Sequence, residues 1–185
     1  MPYDNSAKYF DFVNEKSFGS WFPKLTDSTL RLIDGIIKEP SSVLDLGAGT
    51  GRLTVPLAQR GHRVTAVEQS PGMTAILRQN CAAAQCQARI INLPMQSFVP
   101  DPDSYDFALS VFTCLNYLSE ESELAALAAA LRSALKPGAY FLCDLARLEL
   151  FDSRTYESNN FKRIVDISNP PMIKAIGSQK QPMAP

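Results

Sequence analysis

The chain has one histidine, one tryptophan and four cysteines among its 185 residues. A lone histidine, His62, cannot assemble the His/Cys cluster that zinc needs, and Cys81, Cys86, Cys114 and Cys143 contain no C-x-x-C pair. No metal site and no dithiol redox motif is therefore expected, and the apolar neighbours of the thiols predict buried, reduced cysteines. Excess positive charge is absent too: 18 basic and 19 acidic residues give a formal net charge of −1. The basic residues are scattered singly, so no nucleic-acid partner is expected. No apolar run is long enough to span a bilayer, and Met1-Pro2-Tyr3-Asp4-Asn5 lacks the basic start and apolar stretch of a signal peptide. The expectation is a cytoplasmic protein without a membrane partner. At 45% hydrophobic residues, it can bury a core unaided by disulfide or metal.

What the chain does have is alternation. Leu30, Ile33, Ile36 and Ile37 share one face of a helix for which Thr26 and Asp27 are candidate caps. Apolar runs at 43–46, 63–67, 88–91, 105–112 and 139–145 read as strands. Between them, Leu53, Leu57 and Ala58 suggest a helix ending at Gly61, with Pro56 kinking its first turns. Ser70-Pro71 starts another, with serine at the cap and proline at the first position. Ser119 caps a third, whose Leu124, Leu127, Leu131 and Leu135 share a face and which Pro137-Gly138 ends. Five alternations predict an α/β fold, a Rossmann-like doubly wound and mostly parallel sheet with helices on both faces. Ligands of such folds bind at the carboxyl ends of the strands, where the strand order reverses.

The stretch VLDLGAGTGR, from Val43 to Arg52, runs a strand straight into three glycines. Glycines here either close a tight turn or let a ligand lie against bare backbone. Asp45 just before the loop, and Glu68 at the end of the next strand, favour the ligand, because a carboxylate accepts two charge-assisted bonds from a ribose diol. A dinucleotide loop would read G-x-G-x-x-G, yet the glycines fall at 47, 49 and 51 and position 52 is Arg. That fingerprint fails.

VLDLGAGTGR, followed by VTAVEQSPGM, instead resembles the class I S-adenosylmethionine-dependent methyltransferases, in the small-molecule branch called methyltransferase domain 25. The resemblance spans roughly residues 3 to 147. It implies that Gly47 and Gly49 back the methionine part of the cofactor, and that Asp45 holds the loop or, through water, the cofactor's ammonium. It implies further that Glu68 binds both ribose hydroxyls, that Gln69 lies along the adenosine, and that the Met95 amide meets an adenine ring nitrogen. Pro94 stands where the family usually carries an acid for the adenine amine. Phe112 opens the segment through Leu118 where the family places the transferred methyl. Asn116, Tyr117 and Tyr9 are the substrate candidates there; the alternative for Asn116 and Tyr117 is a helix start with polar ends in water.

Tyr3, Tyr9, Phe10, Phe12 and Trp21 resemble the family's aromatic lid, and an amphipathic helix packed on the sheet is the alternative reading. The domains are then a lid segment at 1–25, a cofactor-binding domain at 26–167 and an irregular tail at 168–185, which holds four of the thirteen prolines. The implied activity is methyl transfer from S-adenosylmethionine to a small-molecule acceptor, with no residue identifiable as a base. A non-catalytic or truncated S-adenosylmethionine-binding domain is the alternative, and an NAD(P)-dependent oxidoreductase ranks below both. His62, at the opposite end of the sheet, reads as a surface turn residue. Asn169-Pro170-Pro171-Met172 resembles a catalytic loop of amino-group methyltransferases but follows the fifth strand instead of the fourth. The family sheet ends in two further strands, and residues 160–167 supply only one. The C-terminal strands are thus incomplete, and the fifth strand's uncovered edge invites a homodimer.

Overall fold

The apolar run after Ser41 forms β1 (Ser42–Leu46), with Val43, Leu44 and Leu46 buried on alternate faces, as a strand inside a covered sheet must be. The computed structural model describes residues 6–145 and the strand at 162–166. Five further strands accompany β1 there: β2 (Arg63–Val67), β3 (Arg89–Ile91), β4 (Tyr105–Ser110), β5 (Leu135–Asp144) and β6 (Lys162–Asp166). Their order across the sheet is β3-β2-β1-β4-β5-β6. The first five are parallel and β6 is antiparallel to β5. The order reverses between β1 and β4, so their carboxyl ends flank an open crevice.

The helices are α1 (Ala7–Phe18), α2 (Trp21–Ile36), α3 (Thr54–Gln59), α4 (Pro71–Ala83) and α5 (Glu121–Ala134). Side chains alternate along each strand and so serve two cores. On one face Val43, Val64 and Phe107 meet Leu30 and Ile33 of α2 and Leu57 of α3, while Ala66 meets Leu77 and Cys81 of α4. On the other, Leu44, Leu46 and Ala108 meet Leu127 and Leu131 of α5. This is the doubly wound architecture the alternation predicts.

Element starts differ from expectation for local reasons. Helix α2 begins at Trp21, placing Thr26 and Asp27 inside it; the Thr26 and Thr29 hydroxyls donate to the carbonyls of Phe22 and Leu25 four residues back. Pro56 falls in the first turn of α3, where its missing N–H has no intrahelical partner to lose, so it kinks nothing. Glu120, not Ser119, caps α5 in a reciprocal box with Glu123. Strand β5 starts at Leu135, before Pro137-Gly138; its register against β4 shifts between Tyr105↔Leu135 and Phe107↔Tyr140, a bulge that takes up the residues between. Strand β6 pairs from Tyr140↔Asp166 to Asp144↔Lys162. The flank of β5 expected to lie uncovered is therefore occupied by the chain's own β6, because 162–166 can donate the missing ladder. The tail at 168–185, the Asn169–Met172 loop and Tyr3 lie outside the described residues.

Ile33 is fully buried and seats α2 on the sheet. Ile33→Ala should lower the unfolding free energy by about 2–5 kcal/mol in chemical denaturation, the range for emptying a core site. A loss below about 1 kcal/mol would show that α2 is not anchored there.

Candidate functional site

Beyond Leu46 the chain turns at once, and all three glycines adopt left-handed φ: +77° at Gly47, +57° at Gly49 and +95° at Gly51. Their reasons differ. A Cβ at position 47 would stand 2.7 Å from Cys114 Sγ, and one at 51 would stand 2.3 Å from Leu77 Cδ1. Those two glycines serve close packing. At Gly49 nothing lies within 4 Å of where a side chain would begin. Its left-handed backbone opens onto empty space beside the cavity, as a ligand resting on bare backbone requires.

Glu68 sits where β2 ends. Its Oε2 accepts the Gly49 N–H at 2.9 Å and its Oε1 accepts the Ser70 N–H at 2.8 Å. Each oxygen keeps lone-pair capacity for a further donor. Ser70 in turn caps α4, accepting the Met73 N–H at 3.2 Å. Asn92 Nδ2 donates to the carbonyls of Glu68 and Gln69 at 2.8 and 2.9 Å, fixing the backbone beside the acid. Asp45 is buried and accepts the Thr54 hydroxyl at 2.6 Å, which locks the start of α3 to the end of β1. Burial pushes its carboxyl up to about 6, the Thr54 bond and the nearby Arg52 opposing the rise and Glu68 adding to it.

Asp45, Gly47, Gly49, Glu68, Gln69 and Met95 line one cavity at the switch point. Phe112 and Tyr117 line it from the β4 side. Tyr9 and Asn116 do not: Tyr9 is 54% exposed on α1, and Asn116 sits exposed in the 3₁₀ turn after β4. The α1 aromatic at the cavity is Phe10. Sequence reasoning also missed Arg52, Gln96 and Cys114, which line it as well. Gln96 adjoins Met95, and its Nε2 donates to Glu123 at 3.0 Å. Burial, with Asp45, Glu68 and Asp144 adding to it, raises the Cys114 thiol to about 12, so it stays protonated and acts as packing against Gly47.

Phe112 and Thr113 hold φ of 67° and 60°, a conformation that strains a residue with a side chain. The carboxylate of Asp144, at the end of β5, holds them there by accepting both backbone N–H groups. Nothing in the local sequence around Asp144 announces this, because its partners lie 31 and 32 residues away. His62 lies opposite the cavity as expected but is buried, not a surface residue; its Nδ1 accepts the Ser41 N–H at 3.1 Å, joining the starts of β1 and β2. Burial lowers its pKa, favouring the neutral ring that can accept. Among the described residues no cluster of three metal-binding side chains occurs, and no helix is long and apolar enough to cross a membrane.

A glycine loop with φ > 0, an acid at the end of the next strand and a cavity at the switch point are the features with which α/β domains of the doubly wound class hold nucleoside-bearing ligands. Residues 43–138 match the methyltransferase domain family, and the chain belongs to it. Over 146 residues it is 30% identical to a candidate methyltransferase of Geobacillus sp. (strain WCH70), covering 78% of this chain and 58% of that protein. The glycopeptide N-methyltransferase MtfA, crystallised with S-adenosyl-L-methionine, superposes with a TM-score of 0.56 at 28% identity, covering 69% of this chain and 52% of MtfA. The PH0226 protein of Pyrococcus horikoshii OT3 shares the fold, with a TM-score of 0.66 at 19% identity over 80% of this chain and 65% of its own. The chain thus spans just over half the length of the curated relative.

Between about pH 4 and 6 folded Asp45 keeps a proton that the unfolded chain, with a carboxyl near 3.8, has released. Stability from this group is therefore full below about pH 4 and lost as pH rises through 6, on the order of 3 kcal/mol in all. Asp45→Asn cannot titrate, so the wild-type unfolding free energy should fall relative to the variant by about that amount between pH 4 and 7. A difference that stays flat with pH would contradict the burial of this carboxyl.

Proposed function

We propose that the chain binds S-adenosylmethionine in the switch-point cavity and transfers its methyl group to a small-molecule acceptor. The observation that carries this reading is the pairing of empty space at Gly49 with the Glu68 carboxylate bonded to that same residue's N–H. A side chain at 49 would fill the place where the ligand rests. In this reading Gly47 and Gly49 back the methionine portion, Glu68 accepts the ribose hydroxyls through its remaining lone pairs, and Gln69 and the Met95 amide face the adenosine. Asp45 keeps the loop and α3 in register through Thr54.

S-adenosylmethionine, when bound, supplies a methyl on a sulfonium whose leaving group is a neutral thioether. The chain's own work is then orientation and exclusion of water. Phe10 and Phe112 close the cavity from two sides, and Asp144 fixes the loop that carries Phe112. Orientation of that kind supplies on the order of 7–11 kcal/mol in well-aligned systems. A cavity with apolar walls and an even charge balance over the chain favour a small acceptor over a nucleic acid.

Calorimetry with S-adenosylhomocysteine, with NADH as the control, tests the reading. Glu68→Ala should weaken S-adenosylhomocysteine binding by about thirty- to a thousandfold, the loss of two charge-assisted bonds. Because Glu68 also holds Gly49 and Ser70, the variant should lose roughly 1–3 kcal/mol of stability as well, so binding is read well below its melting temperature. Normal binding by the variant would overturn the ribose assignment, and NADH binding with no response to S-adenosylhomocysteine would overturn the cofactor. Turnover against an acceptor panel then separates an enzyme from a binding domain.

A further inference from the structure

Cys81 lies in the last turn of α4, and Cys86 follows just beyond the helix. Their spacing matches no dithiol motif, but the way α4 ends brings the two residues together. After Ala84 the chain turns left-handed at Gln85, with φ of 52°. The Gln85 N–H then donates to the Ala82 carbonyl at 3.1 Å, and the Cys86 N–H donates to the Cys81 carbonyl at 3.0 Å. This pair of bonds is the Schellman ending, which sets the side chains of the two residues in the outer bond against each other. That contact is ordinarily hydrophobic; here both residues carry a thiol. Backbones joined by a direct N–H···O bond also bring their Cα atoms within the reach a disulfide requires, about 4.4–6.8 Å.

The two sulfurs differ in access. Cys81 is buried in a cluster with Ala48, Ala66 and Leu77, while Cys86 packs against the edge of that cluster and stays partly exposed. Burial pushes the Cys81 thiol up to about 11, and Cys86 adds to the rise as a neighbouring charge and as a hydrogen-bond partner. That hydrogen bond places the two thiols within reach of each other. The charge disappears once the Cys86 sulfur is bound in a disulfide, so Cys81 ionises more readily at the step where it has to attack. Neither cysteine lines the switch-point cavity. Asn80, one residue before Cys81, donates Nδ2 to the Thr50 carbonyl at 2.8 Å, so the same turn braces the glycine loop from behind.

We propose that Cys81 and Cys86 form a dithiol modification site, closed to an intramolecular disulfide by exchange with a small-molecule disulfide. Cys86, the accessible thiol, attacks first as its thiolate. Its sulfur bonds to one sulfur of the reagent, the reagent's S–S bond breaks, and one thiolate leaves. Cys81 then gives its proton to solvent and attacks the Cys86 sulfur. The Cys81–Cys86 bond forms, the mixed disulfide breaks, and the second thiolate leaves and takes up a proton. Two protein thiols are oxidised while one small disulfide is reduced to two thiols. The contact that ends α4 becomes covalent, which locks the turn beside Asn80.

The test incubates the folded wild type, Cys81→Ser and Cys86→Ser with glutathione disulfide and counts thiols after unfolding in denaturant. Circular dichroism checks that each variant is folded; the wild-type result decides alone where one is not. The wild-type count should fall from four to two, with no glutathione retained and a peptide map joining Cys81 to Cys86. Cys81→Ser lacks the resolving thiol and should keep one glutathione on Cys86. Cys86→Ser should keep its three thiols, because Cys81 is buried from the reagent. Hydrogen exchange reads the turn: the Gln85 and Cys86 amides should exchange about tenfold more slowly in the oxidised protein. A wild type that keeps four thiols, stops with glutathione on Cys86, or pairs either residue with another cysteine would overturn the proposal. So would exchange at those two amides that is not slowed by oxidation.

Discussion

One carboxylate joins the end of β2 to the glycine loop after β1. Glu68 accepts the Gly49 N–H with one oxygen and the Ser70 N–H with the other, so the loop, the strand end and the cap of α4 are fixed to a single side chain. Hydrogen bonds to a charged group are among the stronger ones in a protein, and here two of them hold a backbone turn that would otherwise wander. The left-handed glycines make the turn possible; Glu68 selects one conformation of it. The cavity wall facing Gly49 exists because of that selection.

Around this point the fold keeps charge and strain at the carboxyl ends of the strands and apolar contacts beneath them. Asp45 is buried at a cost that its Thr54 bond only partly offsets, and Arg52 is held by two rings without an ion pair. Phe112 and Thr113 keep left-handed backbones only while Asp144 accepts their N–H groups. Below them Phe107, Leu109 and Leu142 are fully buried and carry none of these burdens. Such a division, a rigid apolar sheet under a strained polar rim, is what lets a scaffold hold reactive groups in fixed positions. The Thr50 hydroxyl extends the rim to α1 by donating to Asp11 at 2.7 Å, and Arg52 extends it to α2 through Thr26.

The parts of this arrangement that depend on neighbours in sequence were legible in advance. The strand at 63–67 and the Ser70-Pro71 helix start were read at their observed positions, because apolar runs and cap chemistry act locally. The glycines and Glu68 were legible because their spacing follows from one strand–turn–helix unit. Contacts across the chain left no such trace. Arg52 looked only like a broken fingerprint until the Phe22 and Phe112 rings were seen packed against it, and Asp144 looked like the end of a strand. His62 was misjudged for the same reason, since the N–H its ring accepts belongs to Ser41, 21 residues earlier. Helix starts failed differently: the threonine that resembled a cap at 26 bonds backward inside α2, and glutamate took the cap position of α5.

The central claim is that the space at Gly49 is kept open for a ligand, while the spaces at Gly47 and Gly51 are filled by the protein. Gly49→Ala tests it most directly, read as S-adenosylhomocysteine affinity beside unfolding free energy. Alanine at φ +57° should cost about 1–2 kcal/mol of stability, with no clash to relieve, and leave the fold intact. Its methyl group enters the ligand's place, so affinity should fall by about tenfold or more. A folded Gly49→Ala variant that binds S-adenosylhomocysteine as tightly as the wild type would contradict the account.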